Sequence, residues 1–79
     1  MKNFFISIII PAQNEEQSLP KVIQDLPRDI IQEIIVVNNA STDQTPDVAR
    51  QAGCTVVDEP VKGYGQACLT GIKHLNPKT

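Results

Sequence analysis

Apolar and polar positions fall in blocks along this chain, and the blocks predict six elements. Phe4–Ile10 is apolar almost throughout and rich in β-branched residues, which suits a central strand, and Pro11, unable to donate to a ladder, is expected to end it. Leu19, Val22, Ile23 and Leu26 recur at the spacing of one helical face, with Lys21, Gln24 and Asp25 turned outward. Ser18 reads as the cap of this helix, Pro20 suits its first turn and Pro27 ends it. Glu33–Val37 is a second strand, whose run Ile34-Ile35-Val36-Val37 suits a strand covered on both faces. Thr45-Pro46-Asp47 starts a second helix with Thr45 as its cap, and Gly53 closes it in a left-handed position. Cys54–Val57 is a third strand. The link Lys62–Gly65 then leads into a last helix that places Cys68, Ile72 and Leu75 on one face and stops at Asn76-Pro77.

The order β-α-β-α-β-α with short connections predicts an α/β fold in three layers: a parallel sheet with helices on both sides, half of a doubly wound domain. Seventy-nine residues allow one small domain, 1–79. A chain of this size buries only about two thirds of its unfolded surface. Phe4, Phe5 and Tyr64 are the aromatic residues, so the core must come from Ile, Val and Leu. A net charge of −2, with no basic stripe, argues against a nucleic-acid partner. Cys54 and Cys68 lack the spacing of a metal or redox motif and are expected to be buried thiols. Phe4–Ile10 is far shorter than the ~20 residues that cross a bilayer, and Pro11–Glu16 offers no leader-cleavage site, so the expected location is cytoplasmic.

Ligands of open parallel sheets sit at the carboxyl ends of the strands. Here the ends carry three polar segments: Pro11-Ala12-Gln13-Asn14-Glu15-Glu16, Asn38-Asn39-Ala40-Ser41-Thr42-Asp43-Gln44-Thr45, and Lys62-Gly63-Tyr64-Gly65-Gln66-Ala67. With the preceding Ile8-Ile9-Ile10 and Ile35-Val36-Val37, these segments together resemble the amino-terminal part of family 2 glycosyltransferases. The resemblance is closest to the dolichyl-phosphate mannose synthase-like branch and runs from Ile6 to about Leu75.

The resemblance implies a GT-A, Rossmann-like domain whose nucleotide-binding half this chain would form. Its donor would be a UDP- or GDP-linked sugar. Pro11, Ala12, Gln13 and Glu15 match positions near the base and ribose; a glutamate there can accept from ribose hydroxyls, and Pro11 fixes the turn that aims the loop. Asn38-Asn39-Ala40-Ser41 stands where many members carry Asp-Asp-Gly-Ser. Asn38 and Asn39 keep the hydrogen-bonding capacity to read a base but lose acid, base and metal chemistry. Ser41, Thr42 and Asp43 read as turn and capping residues. Lys62, beside Gly63, is placed to meet a diphosphate.

Family members carry, after a fourth strand, an Asp-x-Asp motif that holds Mg²⁺ or Mn²⁺, and nothing in this sequence supplies it. The chain is therefore expected to be a truncated half-domain that binds no metal, has no catalytic residue of its own and does not turn over alone. The competing expectation is a non-enzymatic module, self-associating or nucleotide-sensing, that kept the fold without the chemistry. An apolar edge at Phe4–Ile10 suggests a homodimer or larger oligomer formed by edge-to-edge pairing.

Overall fold

The computed structural model describes residues 6–75. Its elements are β1 (Ser7–Ala12), α1 (Leu19–Gln24), β2 (Glu33–Asn38), α2 (Thr45–Gln51), β3 (Thr55–Asp58) and α3 (Tyr64–Lys73). The strands form one parallel sheet in the order β1-β2-β3, with Ala12 level with Asn38 and Asn38 level with Asp58 at its carboxyl end. All six expected elements are present, and the parallel α/β architecture is as read from the sequence.

The continuous apolar run of β2 is explained by its central place. Ile35, Val36 and Val37 are 0% exposed, and alternate residues serve opposite layers. Ile34 and Val36 join Leu19, Ile23 and Ala49 under α1 and α2, while Ile35 and Val37 join Ala67 under α3. The two β-α-β units thus keep their helices on one face, and α3 closes the other, packing over β1 and β2 rather than over β3.

Several boundaries differ from the expectation, each for a tertiary reason. Phe4 and Phe5 lie outside the described residues. β1 does not stop at Pro11 but runs to Ala12, and it is an edge strand here, not a central one. The Ile6 and Ala12 carbonyls accept from Gln32, Glu33 and Asn39 amides, so even-numbered residues face β2 and odd-numbered ones the free edge. Pro11 therefore turns its missing donor outward, where no ladder bond is lost. β3 begins at Thr55, one residue later than expected.

Helix caps also moved. Ser18 precedes α1 but makes no side-chain cap: its backbone is already helical at φ −91° and ψ −28°, and its hydroxyl is turned to Glu15 Oε1, to which it donates at 3.1 Å. Thr45 is the first helical residue of α2, not its cap, and Asp43 Oδ1 accepts from the Thr45 N–H at 2.9 Å in its place. Gly53, at φ 86°, closes α2 as expected. Val22 is exposed although it lies on the stripe of Leu19 and Ile23. The face α3 buries is Ala67, Thr70 and Gly71, with Leu75 packed behind it. Ile72 stays 54% exposed and Cys68 only half-buried, contrary to the expected face. Close approach decides this: the helix meets β1 and β2 through its smallest residues. Cys54 is a buried free thiol, and burial pushes its pKa up against the opposing pull of Arg28.

Candidate functional site

Three loops meet at the carboxyl rim, and hydrogen bonds fasten the first to the second. Asn14, in the left-handed region at φ 54°, receives Thr42 N–H on Oδ1 at 2.8 Å and donates its own N–H to Ser41 Oγ at 3.0 Å. Thr45, 0% exposed, accepts the Glu15 N–H on Oγ1 at 2.8 Å and donates that hydroxyl to Asp43 Oδ1. Asp43 Oδ2 takes the Glu16 N–H at 3.3 Å. Burial pushes the Asp43 carboxyl up, but the bonds from Thr45 and Glu16 together outweigh it and hold the group below its ordinary value. Asp43 is thus a joint between two loops, in keeping with a turn-and-capping role.

The second loop is fastened to the third by Asn39, which is 5% exposed. Its Nδ2 donates to the carbonyls of Glu59, at 2.9 Å, and Val61, at 2.8 Å, and its Oδ1 accepts the Gly63 N–H at 3.0 Å. Both amide hydrogens are used, leaving one lone pair on Oδ1 for anything else. Glu59, buried beneath this loop, accepts from Thr70 Oγ1 and from Gln66 Nε2 on Oε1, and from the Val61 N–H on Oε2 at 2.9 Å. Those bonds, led by the Thr70 hydroxyl and aided by Lys73, depress its pKa against the opposing effect of burial.

Between the fastened loops lies a cleft of about 240 Å³ lined by Pro11, Ala12, Gln13, Glu15, Asn39, Gly63 and Tyr64. Five of the seven residues singled out from the sequence converge there. Asn38 does not: its Nδ2 donates to Asp58 Oδ1 at 2.9 Å, its Oδ1 accepts the Ser41 N–H at 3.3 Å, and it borders a separate cleft with Ala40, Asp58, Glu59 and Pro60. Lys62 is exposed and is not part of the lining. The sequence reading missed Tyr64, whose signal was an aromatic in an otherwise polar, glycine-rich link. It also missed Glu59, which no local signal marks, because its partner Thr70 arrives eleven residues later on α3.

Two lining residues keep their polar groups available. Gln13 makes no side-chain hydrogen bond among the described residues, and Glu15 spends one carboxylate oxygen on the Ser18 hydroxyl. Tyr64, 76% exposed, brings an aromatic ring to the lining at the rim. For a divalent ion the fit is poor: among the described residues no three His, Cys, Asp or Glu side chains converge on one point.

Comparison with known proteins gives the same direction. The chain is 42% identical over 67 residues to an uncharacterized glycosyltransferase of Mycobacterium tuberculosis, an alignment covering 85% of this chain and 30% of that protein. It is 40% identical over 76 residues to the 4,4'-diaponeurosporenoate glycosyltransferase of Staphylococcus aureus, covering 87% of this chain and 20% of that one. Among solved structures it is similar to glucosyl-3-phosphoglycerate synthase of Mycobacterium tuberculosis in complex with Mn²⁺, UDP and glucosyl-3-phosphoglycerate. That match has a TM-score of 0.81 and 30% identity over 91% of this chain and 30% of the synthase. The chain thus spans about a third or less of these relatives, and its α/β fold is the Rossmann-like, GT-A architecture. The model of the family described as "Glycosyl transferase family 2" matches residues 7–78, nearly all of the sheet, its helices and the three rim loops, and the chain belongs to that family.

Proposed function

We propose that this chain is the donor-nucleotide-binding portion of a glycosyltransferase that moves a hexose from a UDP- or GDP-linked sugar to an acceptor such as a lipid phosphate. The observation that carries the reading is the convergence of Pro11, Ala12, Gln13 and Glu15 with Tyr64 around one cleft at the carboxyl ends of the strands. At about 240 Å³ the cleft is smaller than the roughly 300–1,000 Å³ of pockets that enclose whole ligands, so it suits one part of a nucleotide sugar. The free Glu15 oxygen accepts from ribose hydroxyls. Gln13 carries both donors and an acceptor for a base edge, and the exposed Tyr64 ring gives a stacking face. Lys62, exposed on the same loop as Gly63 though not in the lining, is the cation this reading assigns to the phosphates.

Solved relatives that hold Mn²⁺ with UDP or UDP-glucose support a nucleotide-sugar donor. The residues described here do not fit such an ion, so no step of glycosyl transfer is assigned to this chain and it is not expected to turn over alone. We further propose a cytoplasmic location and association of copies through the outward-facing edge of β1. Among the described residues no helix is long and apolar enough to cross a membrane.

Titrating UDP, GDP, UDP-glucose and GDP-mannose into the ¹⁵N-labelled chain tests the reading. Amide shifts confined to 12–15, 39 and 62–65 are the expected outcome. Absence of any shift at millimolar nucleotide, with stable oligomers in sedimentation, would favour instead a non-enzymatic, self-associating module.

A further inference from the structure

Glu59 is a buried carboxylate, 8% exposed, that does not itself line the nucleotide cleft. Its side chain joins the Val61 N–H to Thr70 and Gln66 of α3, while its main chain donates to the Asn38 carbonyl at 3.0 Å and accepts from Asn39 Nδ2 at 2.9 Å. One residue thereby ties the end of β2, the loop after β3 and the body of α3. The cleft wall that depends on these ties has no packing to hold it. Lys62, Gly63, Tyr64 and Gly65 are all exposed, and a Cβ placed at Gly63 or Gly65 would meet no heavy atom within 4 Å. Gly63, at φ 143°, is fixed through its N–H to Asn39 Oδ1, and Asn39 is in turn fixed by the Glu59 and Val61 carbonyls.

We propose that Glu59 is a positioning residue: by anchoring 59–61 to α3 it orients Asn39, and through Asn39 holds the Gly63–Tyr64 wall in the shape that accepts the nucleoside. This rests on the reading of the cleft as a nucleotide site. A buried carboxylate is costly unless its oxygens are satisfied, and here one partner, Val61, also accepts from the lining residue Asn39, while the others, Gln66 and Thr70, belong to the helix that begins at Tyr64. Removing the carboxylate leaves the Val61 N–H and the Thr70 hydroxyl without acceptors and loosens the Asn39 side of a wall whose other tie is the start of α3, where the Gly63 carbonyl accepts the Ala67 N–H at 3.0 Å. Pre-organisation, rather than a contact with the ligand, is what would be lost.

The test uses the full 79-residue chain, ¹⁵N-labelled, with UDP and GDP as probes. Glu59→Ala is expected to displace the Asn39 side-chain amide and Gly63 N–H resonances in the free protein and to raise the Kd about tenfold. Glu59→Gln should restore both, since its oxygen can accept from Val61 and its amide can donate to the Thr70 hydroxyl. Thr70→Val, which removes only that hydroxyl, should shift the same resonances in the same direction, and it serves if Glu59→Ala does not fold. Ile23→Val, a destabilising change on the far face of the sheet, should leave both resonances and affinity unchanged. Unmoved Asn39 and Gly63 resonances in a folded Glu59→Ala or Thr70→Val variant overturn the positioning role, as does an equal loss of affinity in Ile23→Val. If the wild type binds neither nucleotide, the nucleotide reading fails, and the free-protein resonances still decide whether Glu59 holds the wall.

Discussion

Gly71 of α3 lies so close to Ile9 of β1 that a Cβ built on the glycine would stand 2.5 Å from Ile9 Cγ2 and 3.1 Å from Val37 Cγ2. Both methyls are branches set by a single χ1 on a strand, so neither swings away as the tip of a long side chain would. Gly71→Ala should therefore destabilise the chain although alanine favours the helix by about 1 kcal/mol. Overpacking of this kind costs roughly 1–3 kcal/mol. A net loss of about 1 kcal/mol, read as a lower urea midpoint at unchanged slope, is expected.

Ala40 presents the opposite case. It sits at φ 60°, in the left-handed region, at the position where the common family pattern has glycine. An L-residue with a Cβ loses roughly 1–2 kcal/mol there, part of which glycine returns through its larger unfolded-state entropy. Ala40→Gly is thus expected to stabilise the chain by about 0.5–1 kcal/mol. A thermal midpoint that falls on this substitution would contradict the assignment of strain to Ala40.

These two residues also mark what the sequence could and could not reveal. Ile34–Val37 was legible as a buried strand because its pattern is local, and so were Gly53 as a helix end and the gathering of polar segments on one rim. The buried face of α3 was not, because Cys68, Ile72 and Leu75 have helical spacing while the fit against Ile9 selects Ala67, Thr70 and Gly71. Pro11 looked like a terminator because only pairing parity tells which way its nitrogen points. In the site, Gln13 and Glu15 could be found from residue type and position. The structural duties of Asn39 and Glu59 could not, since their partners come from three different elements.

Two depressed carboxyls fix the acid side of the stability profile. The Glu59 carboxyl is held low by the Thr70 hydroxyl and the Val61 N–H, and that of Asp43 by Thr45 and Glu16 bonds that exceed the opposing effect of burial. A group whose folded value lies below its unfolded one adds stability at neutral pH and loses it as the pH falls through the folded value. The urea midpoint should hold steady from neutrality and then drop below about pH 4.5, the ordinary value of the glutamate, with Asp43 contributing below its own ordinary value of 3.8. Glu59→Gln should make that drop shallower. A profile in which Glu59→Gln falls as steeply as the wild type would assign the acid sensitivity elsewhere.

The free edge of β1 turns the main chain of Ser7, Ile9 and Pro11 outward. An exposed parallel edge of this kind invites a further strand. Sedimentation at high micromolar concentration should therefore show a dimer or larger species, and Ser7→Pro, which removes an outward-facing N–H without taking a ladder bond from β2, should shift it toward monomer. A wild-type chain that is monomeric throughout that range removes the association.

Asn38 and Asp58 make the sharpest statement about the departure from Asp-Asp-Gly-Ser. Asn38 Nδ2 donates to Asp58 Oδ1 at 2.9 Å, and the two Cα positions are paired across β2 and β3, so the amide at 38 is matched to the carboxylate at 58. Restoring the family's carboxylate by Asn38→Asp removes the donor and sets two negative groups side by side on adjacent strands, a directly opposed like-charge pair. The lost bond alone is worth about 1 kcal/mol, and repulsion adds to it at low ionic strength. The variant should be less stable than the wild type at neutral pH, and the deficit should be larger in dilute buffer than in about 1 M salt, where charges a few ångströms apart are screened. As the pH falls, one carboxyl of the pair takes up a proton, becomes a donor to the other and closes the gap. A stability difference that stays constant from pH 7 to below pH 4 would mean that the substitution acts through something other than charge at position 58, and the pairing of Asn38 with Asp58 would lose its explanatory role.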